Sequence, residues 1–186
     1  RSLLPYKSYF SLLGSETYST TIFTSRGCPF KCAFCDRPAL GKAFRAHSAD
    51  YVIKEIEHCI ELGIKEFLFY DDTFTVNRKR VFDICDQIIE KELDISFDIR
   101  ARVDTVDEPM LALLKKAGCQ AVHFGVESGS ERIIKNLDKG ITVKQARQAF
   151  ASARNVKMNT LAYFMIGCPG ETRKDMEKTF QLAKEL

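Results

Sequence analysis

The stretch "TTIFTSRGCPFKCAFCDRP", residues 20–38, joins a β-branched run to a loop that holds Cys28, Cys32 and Cys35. Thr20–Ser25 has the residue types of a short strand. Gly27, Pro29, Lys31, Asp36, Arg37 and Pro38 then mark a loop, not a core element. Three of the seven cysteines therefore share one connection, at C-x3-C-x2-C spacing. An open doubly wound sheet should carry a glycine-rich phosphate loop after an early strand. Here the first strand–helix loop carries cysteines instead.

The same unit recurs outward from that loop. Ala49–Leu62 sets Val52, Ile53, Ile56, Cys59 and Ile60 at helical spacing, and Gly63 can end it. "EFLFY" (Glu66–Tyr70) is an apolar run of strand length that stops at Asp71 and Asp72. Arg78–Glu90 is helical, with Val81, Ile84, Cys85, Ile88 and Ile89 on one stripe. "ISFDIRAR" (Ile95–Arg102) reads as a third strand. Asp107, Glu108 and Pro109 start a helix that Gly118 ends. "AVHFGVE" (Ala121–Glu127) is a fourth strand. Ser128 with Glu131, and Thr142 with Gln145, have capping-box spacing for two successive helices. "TLAYFMIG" (Thr160–Gly167) is a fifth strand, and Glu171–Leu186 a last amphipathic helix. Five strand–helix units in a row predict an α/β fold with a parallel sheet and right-handed crossovers. The expected architecture is a partial (β/α) barrel in which residues 20–186 form the core and residues 1–19 an irregular lead-in. The chain starts at Arg1 and stops within a helical pattern, which suggests an excerpt of a longer protein.

Composition sets bounds. The chain has 186 residues, 45% hydrophobic and 28% charged, enough for one globular core. Its net charge of +3 neither demands nor excludes nucleic acid, and no dense basic run is present. No apolar run approaches the roughly 18 residues of a membrane helix, and no signal peptide is visible. An odd cysteine count argues against a disulfide scaffold and for a reducing, cytoplasmic setting.

In a parallel barrel the C-terminal strand ends share one face, which holds the active site. The three cysteines follow strand one, Asp71 and Asp72 strand two. Arg100 and Arg102 close strand three, Glu127-Ser128-Gly129 strand four, and "GCPGE" (Gly167–Glu171) strand five. Thiolates are soft ligands that suit zinc or iron–sulfur. Structural zinc wants four protein ligands, whereas three cysteines on a four-iron cube leave one iron free of protein sulfur. The loop therefore favours a [4Fe–4S] cluster over zinc. Cys168, followed by Pro169, is a rival fourth ligand that would make the chain an electron carrier. His47, His58 and His123 show no metal spacing, and His123 reads as a satisfied strand residue. Cys59 and Cys85 belong to the helical stripes and should be buried.

The cysteine loop, with Phe34 before the third cysteine, resembles the radical S-adenosylmethionine (SAM) superfamily. "TSRGCPFKCAFCD", "YDDTFTVNRKR", "GVESGSERIIKNLDKG" and "FMIGCPGE" resemble its subgroup whose members often carry a cobalamin-binding domain before the barrel. The resemblance implies that Cys28, Cys32 and Cys35 hold three irons and that SAM chelates the fourth. Reductive cleavage of SAM would give a 5′-deoxyadenosyl radical. The outcome would be radical methylation or a related rearrangement or C–C bond formation. It further implies that the Phe34 backbone lies near adenine and that Tyr70, Asp71 and Asp72 meet the SAM amino group, with Asp71 favoured over Asp72. Glu127, beside Ser128, would contact the methionine moiety or ribose. Lys139 would pair with the SAM carboxylate, and Gly167 would line the adenine pocket. Arg102, like Arg100, would contact SAM or substrate. Implied partners are a small-molecule substrate, an electron donor such as flavodoxin or ferredoxin, and cobalamin on another domain. Neither a membrane nor nucleic acid is expected.

Each site residue also has a plain structural reading. Asp71 and Asp72 can cap the next segment. Arg100 and Arg102 can pair with Glu127. Lys139 can be a solvated helix-end charge. The tRNA methylthiotransferases share the cysteine loop and are the rival enzyme; an electron-transfer iron–sulfur protein and a zinc module are the rivals outside it.

Overall fold

The computed structural model describes residues 18–36 and 43–186. The expected lead-in lies outside the described residues up to residue 17, and Tyr18 and Ser19 already belong to the first strand, β1 (Tyr18–Ile22). A two-residue antiparallel ladder follows, β2 (Ser25–Arg26) against β3 (Arg45–Ala46). Then come α1 (Ala49–Glu61), β4 (Ile64–Phe69), a 3-10 turn (Phe74–Val76), α2 (Arg78–Glu90), β5 (Ser96–Arg102) and α3 (Glu108–Lys116). β6 (Cys119–Glu127), α4 (Glu131–Asn136), α5 (Val143–Asn155), β7 (Asn159–Phe164) and α6 (Arg173–Glu185) complete the chain.

Five strands form one parallel sheet in the order β1-β4-β5-β6-β7. The spatial order repeats the chain order, so the sheet has no reversal point of the doubly wound kind. This is the partial barrel arrangement expected from the five repeats. The strand-one expectation, Thr20–Ser25, splits in two. The sheet strand ends at Ile22, because the Thr24 and Ser25 amides turn to the Asp71 carboxylate and not to a neighbouring strand.

Strand alternation sorts the sheet into two faces. Phe67, Phe69, Phe97, Ile99, Val122, Phe124 and Val126 are buried on one face. They join Val52, Ile56, Val81, Ile84, Leu111, Leu114 and Phe150 of the helices in one core. Cys59 and Cys85 are buried in that core, as their stripe positions predict. The other face carries Asp98, Arg100, Arg102, His123 and Glu127. Fixed caps hold the helices. Ser48, Asn77 and Asp107 accept from the first turns of α1, α2 and α3, and Thr142 with Gln145 forms the expected box on α5. The Ser128–Glu131 box does not form. Ser130 is the α4 N-cap, and the Ser128 hydroxyl accepts from the Ser130 amide and meets Thr179 of α6 at 3.1 Å. A turn closing at Ser128 starts the helix two residues late.

Candidate functional site

The cysteine loop is held at three points. Ala33 N–H donates to the Leu137 carbonyl just after α4 (2.8 Å), and Cys35 N–H to the Cys32 carbonyl (3.2 Å). Phe30 lies flat under the Arg102 guanidinium, 3.8 Å from ring centroid to Cζ. Arg102 also donates from Nη1 to Cys32 Sγ at 3.6 Å. The Thr73 hydroxyl lies 4.0 Å from Cys28 Sγ. Cys35 is exposed, Cys28 and Cys32 are half-buried, and all three are free thiols.

Arg102 is the hinge between this loop and the strand ends. Its Nε and Nη2 donate to Asp104 Oδ1 and Oδ2, each at 2.9 Å, and Nη2 reaches the Lys139 carbonyl at 2.7 Å. Its carboxylate partner is thus Asp104, not Glu127. Glu127 takes Lys139 instead, Nζ to Oε1 at 2.6 Å, with both side chains buried. The Lys139 ammonium lies 5.6 Å from the Phe34 ring centroid. The solvated helix-end reading of Lys139 fails on that burial. Glu127 sits at φ 68, left-handed for a non-glycine residue, where the β6–β7 register slips between Gly125 and Glu127. Such strain persists only where the surroundings over-determine it.

Gly125 is a site residue that sequence reading missed. A Cβ there would stand 2.6 Å from both Glu127 Oε1 and Lys139 Nζ. Its signal was the G-x-E spacing at the strand end, legible only once the pair is known to fold back over it. Gly167 has φ 85, but a Cβ there would meet nothing within 4 Å. Backbone conformation, not crowding by this chain, requires glycine at that turn.

Asp71 and Asp72 part company. Asp71 is fully buried, and its two oxygens accept from the Thr24 and Ser25 amides at 2.7 and 3.0 Å and from their hydroxyls at 2.5 and 2.6 Å. This tells against the preference for Asp71 over Asp72, because Asp71 has its lone pairs engaged by the end of β1. Asp72 is exposed on the strand-end side. Partial desolvation and the Asp71 carboxylate hold its carboxyl above the usual range, with Arg100 pulling the other way. Arg80 of α2, also missed, is buried and donates to the His47 and Thr24 carbonyls, fixing the same corner from behind.

Ser128 is turned away toward α6. Tyr70 is exposed at the strand-end side, under Arg100. Cys168 is buried with Ile133, Leu137 and Met165. Burial, then Glu171 and Glu127, raise its thiol pKa. Among the described residues, no three His, Cys, Asp or Glu side chains gather as ligands of one metal ion. Structural zinc wants four protein ligands, whereas three thiolates on one loop suit three irons of a cube and leave the fourth open. The loop's donor set fits the cube.

The site can do three things: present soft ligands at a strand-end loop, hold charge opposite them on Arg102 and Lys139, and offer carboxylates at Glu127 and Asp72. Comparison with known proteins agrees with that chemistry. The sequence model of the radical SAM superfamily matches residues 22–183. An uncharacterised methyltransferase of Pyrococcus horikoshii is 42% identical over 98% of this chain and 41% of its own length. The anaerobic magnesium-protoporphyrin IX monomethyl ester cyclase of Rubrivivax gelatinosus is 29% identical over 87% of this chain and 30% of its own. The chain thus spans less than half of these relatives. In fold it resembles the radical SAM methyltransferase TsrM from Kitasatospora setae, solved with cobalamin and a [4Fe–4S] cluster bound. That likeness has a TM-score of 0.83 at 18% identity and covers 91% of this chain and 35% of that one. No helix among the described residues is long and apolar enough to cross a membrane.

Proposed function

The chain belongs to the radical SAM superfamily, and from that premise we propose that it is the core of a cobalamin-linked radical SAM enzyme that methylates or rearranges a small molecule. Cys28, Cys32 and Cys35 would hold a [4Fe–4S] cluster. When bound, the cluster and SAM supply reductive cleavage and a carbon-centred radical; the protein supplies position, exclusion of water and charge.

The observation that carries this reading is the buried Glu127–Lys139 pair, held beside the cysteine loop by Arg102. Two opposite charges side by side fit a zwitterionic ligand, with Lys139 toward its carboxylate and Glu127 toward its amine or hydroxyls. Each contact would be charge-assisted and partly desolvated, hence stronger than a surface pair. Asp72 is the acid left on the strand-end side, and Phe34 covers the Lys139 ammonium. Arg102 keeps the loop seated against the strand ends and donates to a cysteine sulfur. Hydrogen bonds to cluster sulfurs tune reduction potential. The cobalamin-linked assignment rests on the sequence and fold resemblance, and the remainder of the protein would hold cobalamin and set the substrate.

Anaerobic reconstitution of the full-length protein tests the core of the reading. About four irons per chain and a brown chromophore are expected, together with SAM cleavage under reduction. Alanine at all three cysteines should abolish both. Stoichiometric zinc, or iron retained in the triple variant, would overturn the assignment.

A further inference from the structure

The polar face of the sheet continues away from the strand ends, and a second set of groups lies there. Arg100 sits two residues before Arg102 on β5, so the two share a face about 7 Å apart. Its register partner on β6 is His123. The His123 ring bridges two strands: Nε2 is 3.4 Å from Asp98 Oδ2, and Nδ1 is 3.2 Å from the Tyr163 hydroxyl of β7. Asp98 is 5% exposed and also accepts from the Ala121 amide at 3.0 Å. Tyr163, by contrast, is 44% exposed. A buried carboxylate thus fixes an imidazole, which fixes an accessible phenol.

Arg100 differs from Arg102 in what it has left to give. Arg102 is closed by Asp104, the Lys139 carbonyl and Cys32. The Arg100 guanidinium stacks on the Tyr70 ring, Cζ 3.8 Å from the centroid. Among the described residues it makes no hydrogen bond and no ion pair. Stacking uses the face of the guanidinium and leaves its edge, with up to five N–H donors, for a planar or tetrahedral acid.

We propose that Arg100 anchors an acidic group of the substrate, a carboxylate or a phosphate, with the Tyr163 hydroxyl as its second contact and Asp98–His123 as the positioning pair behind that hydroxyl. The assignment rests on the reading of this chain as a radical SAM core, and places the substrate on the polar face below the strand ends. It names an acid as the substrate class. Asp72, near the same guanidinium, is the neighbouring charge that a bound acid must outcompete.

The test uses full-length, anaerobically reconstituted protein labelled with [15N]arginine. The Nε–H resonance of Arg100 is identified by its loss in Arg100→Gln. Sodium acetate, sodium phosphate and sodium chloride are titrated at matched ionic strength. The Arg100 resonance is expected to shift saturably with acetate or phosphate at concentrations at least about tenfold below any chloride effect, while Arg102 stays still. Acetate against phosphate tells a carboxylate subsite from a phosphate one. Tyr163→Phe should weaken the apparent affinity roughly three- to tenfold, the range of an ordinary net hydrogen bond from a half-exposed hydroxyl; unchanged affinity would remove Tyr163 from the subsite. A resonance that ignores both anions, or follows chloride equally, overturns the Arg100 assignment. Iron content and SAM cleavage are measured on the same wild-type preparation. Their absence would overturn the proposed function independently of what Arg100 does.

Discussion

Asp71 and Glu127 occupy equivalent places and do opposite work. Each is a buried carboxylate at the C-terminal end of a parallel strand, one just past β4 and one closing β6. Asp71 accepts four hydrogen bonds from Thr24 and Ser25 and gives the start of the cysteine loop its shape. Glu127 faces a single buried cation, Lys139, on a backbone at positive φ. An acid whose lone pairs are met by amides and hydroxyls is a structural clamp. An acid met by one ammonium, on strained backbone and beside a soft-ligand loop, is the one proposed above to exchange that partner for a ligand. Position at a strand end does not separate the two; the count and kind of donors does.

Removing the clamp should cost most. Asp71→Ala leaves the Thr24 and Ser25 amides buried without an acceptor, since both residues are almost fully buried. Each such donor costs about 1–3 kcal/mol, so a loss of roughly 3–4 kcal/mol is expected in urea unfolding, with failure of the cysteine loop to load iron. Asp71→Asn, which keeps one carbonyl acceptor, should recover part of it. A loss below about 1 kcal/mol would show that the clamp is not structural.

Breaking the second carboxylate's pair comes next. Lys139→Ala leaves Glu127 buried without its cation, a change of the kind that costs about 3 kcal/mol. Replacing both, as Glu127→Gln with Lys139→Met, should recover much of that stability and none of the SAM binding. In Lys139→Ala, SAM affinity should fall roughly 10–150-fold, from about 1.5–3 kcal/mol of a charge-assisted contact, with iron content retained. SAM titration followed by the EPR signal of the reduced cluster reads this. Wild-type affinity would mean that Lys139 serves Glu127 alone.

Gly125→Ala sharpens the contrast from the packing side. Its Cβ would stand 2.6 Å from both members of the Glu127–Lys139 pair and from no atom of the Asp71 corner. Overpacking of this kind costs about 2 kcal/mol. The variant should unfold earlier, and its SAM affinity should fall while iron loading persists. Unchanged SAM affinity would mean that the pair can shift without consequence to the ligand.

The fold was legible because its signals are local and repeated. Apolar runs of strand length alternate with helical stripes, and each boundary carries an Asp, Asn, Ser, Thr or Gly whose capping chemistry is short-range. The cysteine loop was legible for the same reason. What escaped is non-local. Nothing in "YDD" says which carboxylate turns inward, because that depends on Thr24 and Ser25, 47 and 46 residues away. Nothing in "DIRAR" says that Arg102 takes Asp104 while Arg100 is left to stack on Tyr70. The α4 cap shifted from Ser128 to Ser130 because α6 supplies Thr179 as a partner. Pairing across strands decides which polar groups are used up, and only the remainder can meet a ligand.

The smallest effect should come from Asp72, next in sequence to Asp71 and on the other side of the comparison. Asp72 is exposed, and its carboxylate accepts no hydrogen bond among the described residues, so Asp72→Asn should change stability by no more than about 0.5 kcal/mol. Its sign is set by the raised carboxyl pKa. Partial burial comes first, then the Asp71 charge, and Arg100 offsets both in part. A carboxyl raised in the folded state favours folding while it is protonated. That contribution is present below the unfolded pKa and is lost as pH rises through the folded one. The asparagine carries no such loss. Wild type and Asp72→Asn should therefore unfold alike near pH 3, and the variant should be slightly the more stable at pH 7. Asp71→Asn should be the less stable at pH 7, because one carbonyl oxygen replaces two carboxylate oxygens as acceptor for the Thr24 and Ser25 donors. SAM affinity separates the two again: if Asp72 is the acid that meets a cationic amine, Asp72→Asn weakens binding while the fold is untouched. Equal stability losses in the two variants would erase the distinction between clamp and contact.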